Sequence, residues 1–285
     1  MMLVPLRPMT CSMICNRRNS RGDSMTNKSF RLATVFVSAE GFRTLAANPA
    51  RFELAETIAE ACSEHKAHAV ALPAGYLWAE SEAAVSDMAT TLEVPFTRRG
   101  LALFAGIDHA AEVQKEQKDD AWEEVIKKNR LPFFVFATDG QGQQFGCWRQ
   151  RSTTNWDVHL VASEVTADSR IASLLDTRIA LLACGEIFGE PIRQAVVGTH
   201  PDLILDLGHA GMGRGLQNIF PALAQGCSAW VLNAQHMKGA FPTKRCATPD
   251  GEVHDRRDAD LYLGTRAEDQ YAGGLWAEVA FWDIV

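Results

Sequence analysis

The sequence predicts an α/β domain with mixed sheets, its helices covering the outer faces of the strands. Three observations predict it. Strand-like apolar runs alternate with helix-like segments early and late in the chain. A strand pair flanks Asp139-Gly140 in the middle. Neither an internal repeat nor a low-complexity linker divides the chain, and 285 residues at 47% apolar content suffice for one large core.

The first 28 residues differ from the rest. They carry methionines, arginines and Asn/Ser without periodicity, and read as a disordered leader before a domain at 29–285. The opening stretch Met1-Met-Leu-Val-Pro-Leu-Arg-Pro-Met9 is too short and too broken by proline for a secretory h-region.

Residues 30–37 alternate and then turn fully apolar, a first strand. Residues 52–65 place Leu54, Ile58, Ala61 and Cys62 at helical spacing. Residues 67–73 form a second strand stopped by Pro73, and 73–78 a loop at its end. A second helix is expected at 81–91 and a third strand at 101–107. Residues 115–129 are charged and exposed, helical in part. Residues 131–137 and 144–151 form the hairpin, and 156–162 and 178–184 are further strands. A short helix at 191–198 precedes a strand at 203–207, then a helix at 216–225 and a strand at 229–233. After a turn at Pro249-Asp-Gly251, residues 276–282 close the domain.

Composition excludes several functions. A formal charge of −7 without a basic segment gives nucleic-acid binding no electrostatic support. No run of 18 apolar residues exists, so no membrane span is expected. Seven cysteines are scattered without a CxxC pair, which argues against a zinc site or a disulfide framework and for a reducing, cytoplasmic setting. No metal or cofactor is expected. A dinucleotide-binding turn needs GxGxxG after an early strand, and Gly211-Met-Gly-Arg-Gly215 lies late with the wrong spacing.

One stretch invites chemistry. Residues 179–183 read as a buried strand, with Cys184 at its tip, then Gly185 for a sharp turn, then Glu186. A thiol there is held rigidly beside a pocket, as a nucleophile requires. The competing reading is a small core residue.

The order of segments resembles the nitrilase, or carbon–nitrogen hydrolase, superfamily. The carrying stretches are Ala69-Val-Ala-Leu-Pro73, Asp139-Gly140 before Trp148-Arg-Gln-Arg151, Leu181-Leu-Ala-Cys184-Gly-Glu186, Asp202-Leu-Ile-Leu205 and Trp230-Val-Leu-Asn-Ala-Gln235. The resemblance runs from about Phe30 to the C-terminus. It implies a four-layer αββα sandwich, assembly as homo-oligomers, and a small amide or nitrile substrate. It also implies a Glu–Lys–Cys triad: a carboxylate as base, an ammonium at the oxyanion, a thiolate as nucleophile.

Only the cysteine is filled as the resemblance requires. Ala74 stands at the glutamate position and Gln150 at the lysine position. Glu80 and Glu186 are candidate substitutes for the base. Arg149 and Arg151 are candidate oxyanion partners, but arginine stays protonated and shuttles no proton. On a regular strand both arginines share one face and Gln150 takes the other. Their competing reading is an ion pair. His209, in a glycine-rich loop after a strand, is either a substrate-binding residue, as a similar stretch in some family members implies, or part of a tight turn. Two functions stand open. One is a hydrolase of carbon–nitrogen bonds acting through a cysteine thioester at a variant site. The other is a catalytically impaired homologue that binds a ligand or partner. Acyl transfer on the same thioester is not separated from hydrolysis.

Overall fold

The fold is given by a computed structural model that describes residues 29–109, 131–155, 158–161, 170–212, 215–240, 243–264 and 274–284. The expectations for 1–28 and 115–129, and part of the strand at 156–162, lie outside the described residues.

Fourteen strands form one hydrogen-bonded sheet among the described residues. The first half holds β1 (Phe30–Ser38), β2 (Ala69–Ala71), β3 (Leu77–Ala79), β4 (Ala102–His109), β5 (Phe133–Thr138) and β6 (Gln144–Arg149). The second holds β7 (Ile171–Leu174), β8 (Thr177–Ala183), β9 (Leu203–Gly208), β10 (Trp230–Met237), β11 (Lys244–Ala247) and β12 (Val253–Arg256). Two more, β13 (Leu261–Gly264) and β14 (Trp276–Ile284), return the chain to β1. The main path runs β6-β5-β4-β2-β1-β10-β9-β8-β7.

Three apolar clusters define four layers. Helices α1 (Asn48–Glu64) and α2 (Val85–Thr97) cover the first half through Leu54, Ile58, Leu92 and Phe96, packed on Val35, Val70 and Leu103. Helices α3 (Glu190–Gly198) and α4 (Gly215–Cys227) cover the second through Ile192, Val196 and Phe220, packed on Leu182, Ile204 and Val231. Between the halves, Leu32, Ala71 and Phe104 meet Leu181, Leu205 and Leu232. Strand alternation produces this: neighbouring residues such as Leu181 and Leu182 serve opposite faces. The αββα sandwich is therefore present.

The halves are joined at a narrow seam. β1 and β10 pair in parallel only through Phe36, Val37 and Ser38 with Gln235, His236 and Met237, at their C-terminal ends. Ligands of parallel α/β sheets bind beyond such ends.

Three local expectations need correction. The helix expected at 81–91 is a 3₁₀ turn, Glu82–Ala84, followed by α2, which continues through Pro95. Full burial of Leu92 and Phe96 overrides the proline signal. The loop at 73–78 runs into β3, which pairs with the end of β4. The unremarked segment Lys244–Ala247 is β11, whose charged residues are buried because Lys244 pairs with Glu278 and Arg245 with Asp255.

Candidate active site

β8 ends at Ala183, so the expected strand stops one residue short of the thiol. Cys184 opens a 3₁₀ turn, Cys184–Phe188, with φ at 48°. Positive φ is uncommon for a residue with a side chain, and such outliers concentrate at functional sites. Cys184 is half-buried.

Glu186 holds this turn in place. It is fully buried. Its carboxylate accepts the Ala183 N–H at 2.9 Å and the Arg151 N–H at 2.6 Å, and it pairs with the buried Arg170. All of these partners fix its position, and the Arg170 charge offsets its burial.

Arg149 pairs with Glu82, donates to the Leu131 carbonyl at 2.5 Å and lies over the Phe134 ring at 4.4 Å. Glu80 is exposed, just beyond β3. β6 ends at Arg149, so Gln150 and Arg151 leave the strand and strict alternation does not govern them. Gln150 is buried, its Nε2 donates to the Ser152 carbonyl at 2.6 Å, and its Oε1 has no hydrogen-bond partner among the described residues. Ala74 is buried among the core residues between the sheet halves.

A different group meets Cys184. His209 follows β9, Asp108 lies near the end of β4, and the two come from opposite halves of the sheet. His209 Nε2 is 3.0 Å from Asp108 Oδ1. Burial disfavours the imidazolium, but the charges of Asp108 and Cys184, and hydrogen bonds to both, outweigh it and raise the His209 pKa to about 9. The chain thus places a thiol, an imidazole and a carboxylate in series. Arg43 Nε donates to the other oxygen of Asp108 at 3.2 Å. Gly75 makes the encounter possible: it sits at φ 64°, and a Cβ there would lie 2.7 Å from Asp108 Oδ2 and 3.0 Å from His209 Cδ2.

Behind this group lies a second histidine. His236 is fully buried, and Arg51 donates to its Nε2 at 2.9 Å. Burial first, then Arg51 and the neighbouring cations, pushes its pKa well below the usual value, so it is neutral. Arg51, itself buried, also donates to the carbonyls of Tyr76 and Glu40, tying the loop after β1 to α1. Asp206 on β9 is buried, and burial and Glu186 push its carboxyl well above the usual range. No group of three or more His, Cys, Asp or Glu residues among the described residues is arranged to hold a metal ion.

Sequence reasoning missed Asp108. Its signal was a carboxylate ending an otherwise apolar strand, Leu101-Ala-Leu-Phe-Ala-Gly-Ile107, where a buried charge requires a partner.

No family model matches the chain, and no curated protein matches it either. Solved structures do. The chain is similar to an amidase of the nitrilase superfamily from Nesterenkonia sp. AN1, with 16% identity and a TM-score of 0.59, covering 87% of this chain and 92% of that one. A variant of that amidase, with covalent addition of the acetamide moiety of fluoroacetamide at its active site cysteine, superposes at 16% identity and a TM-score of 0.59, covering 88% and 89%. Another variant, in complex with acrylamide, gives 16% and 0.60, covering 90% and 93%. At this identity the likeness is one of fold: the sandwich is nitrilase-like.

Proposed function

We propose that this chain hydrolyses carbon–nitrogen bonds of small amides or nitriles through a thioester at Cys184. His209 serves as proton carrier and Asp108 positions it. The observation that carries this reading is the Asp108–His209 hydrogen bond, with the imidazole in turn interacting with Cys184. A nucleophile, a base and a residue that orients the base are the recurring parts of such sites, recognised by geometry rather than sequence order.

For an amide the steps balance as follows. His209 takes the Cys184 proton as the sulfur attacks the carbonyl carbon. The tetrahedral intermediate expels ammonia as His209 returns the proton to nitrogen. A water then attacks the thioester, giving up a proton to His209, and the carboxylic acid leaves as the thiolate re-forms. In this reading Glu186 supports the turn, and Arg149 and Glu80 belong to the surrounding structure. With Gln150 in place of a lysine, one cationic oxyanion donor is absent, a loss of about 10²–10³ in rate. Several features support a soluble-enzyme setting. No helix among the described residues is long and apolar enough to cross a membrane. Five described cysteines are free, in keeping with the proposed cytoplasmic location. Assembly into homo-oligomers belongs to the same proposal, checked by light scattering.

The test is a panel of amides and nitriles with the native chain and Cys184→Ala. Acyl-enzyme in the mass spectrum and product release by the native chain alone are expected. Equal background rates would instead support the impaired, ligand-binding homologue, the reading favoured by Ala74 and Gln150.

A further inference from the structure

Phe42 is the hub of a cationic group beside the proposed site. The Arg43 guanidinium lies 5.0 Å from its ring centroid and the Lys238 ammonium 4.7 Å. The His236 and His209 rings lie 4.6 Å and 6.3 Å from it. Arg43 is also 4.9 Å from the Phe133 ring, itself 4.9 Å from His209. The cations and the proposed proton carrier therefore share one aromatic wall.

The charges here do not balance. Asp108 is the carboxylate in contact with this group among the described residues, and it is divided between His209 and Arg43. Arg43 uses only Nε on it, and the two terminal nitrogens have no hydrogen-bond partner among the described residues. Lys238 is exposed and makes no ion pair among the described residues. His236 adds an uncharged ring whose Nδ1 is buried without a partner. Since Arg51 donates to Nε2, that Nδ1 carries a hydrogen. Excess positive charge at one spot, in a chain of net charge −7, is not a general surface property. Guanidinium and ammonium groups on aromatic faces suit a carboxylate, which the open fork of Arg43 can grip with two hydrogen bonds.

We infer that the substrate is an amide carrying a carboxylate, held by Arg43 and Lys238 against Phe42 while its carbonyl faces Cys184. The inference rests on Cys184 being the nucleophile proposed above. It explains why Arg43 is tied to the same carboxylate that orients His209: the cation that grips the substrate is in register with the group that moves the proton.

Iodoacetate and iodoacetamide test it, because each alkylates a thiol by displacing iodide with sulfur and they differ in the carboxylate. The rate of each at Cys184 of the full-length chain is followed by peptide mass spectrometry. The expected iodoacetate-to-iodoacetamide ratio is ~10-fold above that of free cysteine in the same buffer, and it falls with added salt. Lys238→Gln lowers the ratio several-fold, and Arg43→Gln with Lys238→Gln lowers it further. A ratio equal to that of free cysteine overturns the inference and leaves the nucleophile standing. A high ratio unchanged in Lys238→Gln and in the double variant also overturns it, assigning the preference to His209 alone. Failure of both reagents at Cys184 removes the proposed function and the inference together.

Discussion

Asp108 and His209 are 101 residues apart in sequence and 3.0 Å apart in space, carboxylate oxygen to Nε2. The contact joins β4 of one sheet half to the loop after β9 of the other. Asp108→Asn keeps the shape and removes the charge. The His209 pKa should fall from about 9, and amide turnover should drop by roughly 10²–10⁴. Histidine NMR against pH, alongside a pH–rate profile, measures both. An unshifted His209 titration would refute the positioning role.

His209 also links stability to pH. Its folded pKa, about 9, lies above the ordinary 6.5. The folded state therefore holds the proton more tightly, and the stabilisation is complete below 6.5 and lost as pH rises through 9. The loss amounts to about 3 kcal/mol if the unfolded histidine is unperturbed. Urea titrations at several pH values across this window should show the decline, and His209→Gln should flatten it. Above about 9 the buried Cys62 and Cys246 thiols, both pushed up to about 12, add a decline of the same sign.

Glu186 tests support against chemistry. Glu186→Gln leaves Arg170 as a buried charge without its counter-ion. Stability should fall by about 3 kcal/mol, read as a drop in urea midpoint. If Glu186 were the catalytic base, the substitution would instead abolish turnover with little change in that midpoint.

Legibility in the sequence followed the range of the interactions. Strands such as 30–37 and the helix at 52–65 were readable because one apolar period governs them. Cys184 was readable because an apolar run, a glycine and an acid are adjacent in sequence. His209 was readable as a candidate binding residue in its glycine-rich loop, but Asp108 and the pairing of the two with Cys184 were not, since they meet only through sheet topology. Glu186 and Arg149 sit near the cysteine or the lysine position in sequence and drew attention for that reason. Their side chains answer to Arg170 and Glu82, whose proximity no local pattern announces.

Arg51 fixes the loop that carries Phe42 and Arg43. Arg51→Met leaves the Tyr76 and Glu40 carbonyls and the His236 ring without their donor. The expected cost is about 2–4 kcal/mol in chemical denaturation. The His236 pKa should also rise, since one of the cations depressing it is gone, which NMR would report.

At Gly75 the site depends on empty volume. The position is one residue past Ala74, where the resemblance implies a catalytic acid, and a single methyl there would sit 2.7 Å from Asp108 Oδ2. The absent side chain at 75 therefore leaves the room that the aspartate and the imidazole occupy. Gly75→Ala is the smallest perturbation able to part thiol, ring and carboxylate without altering any of them.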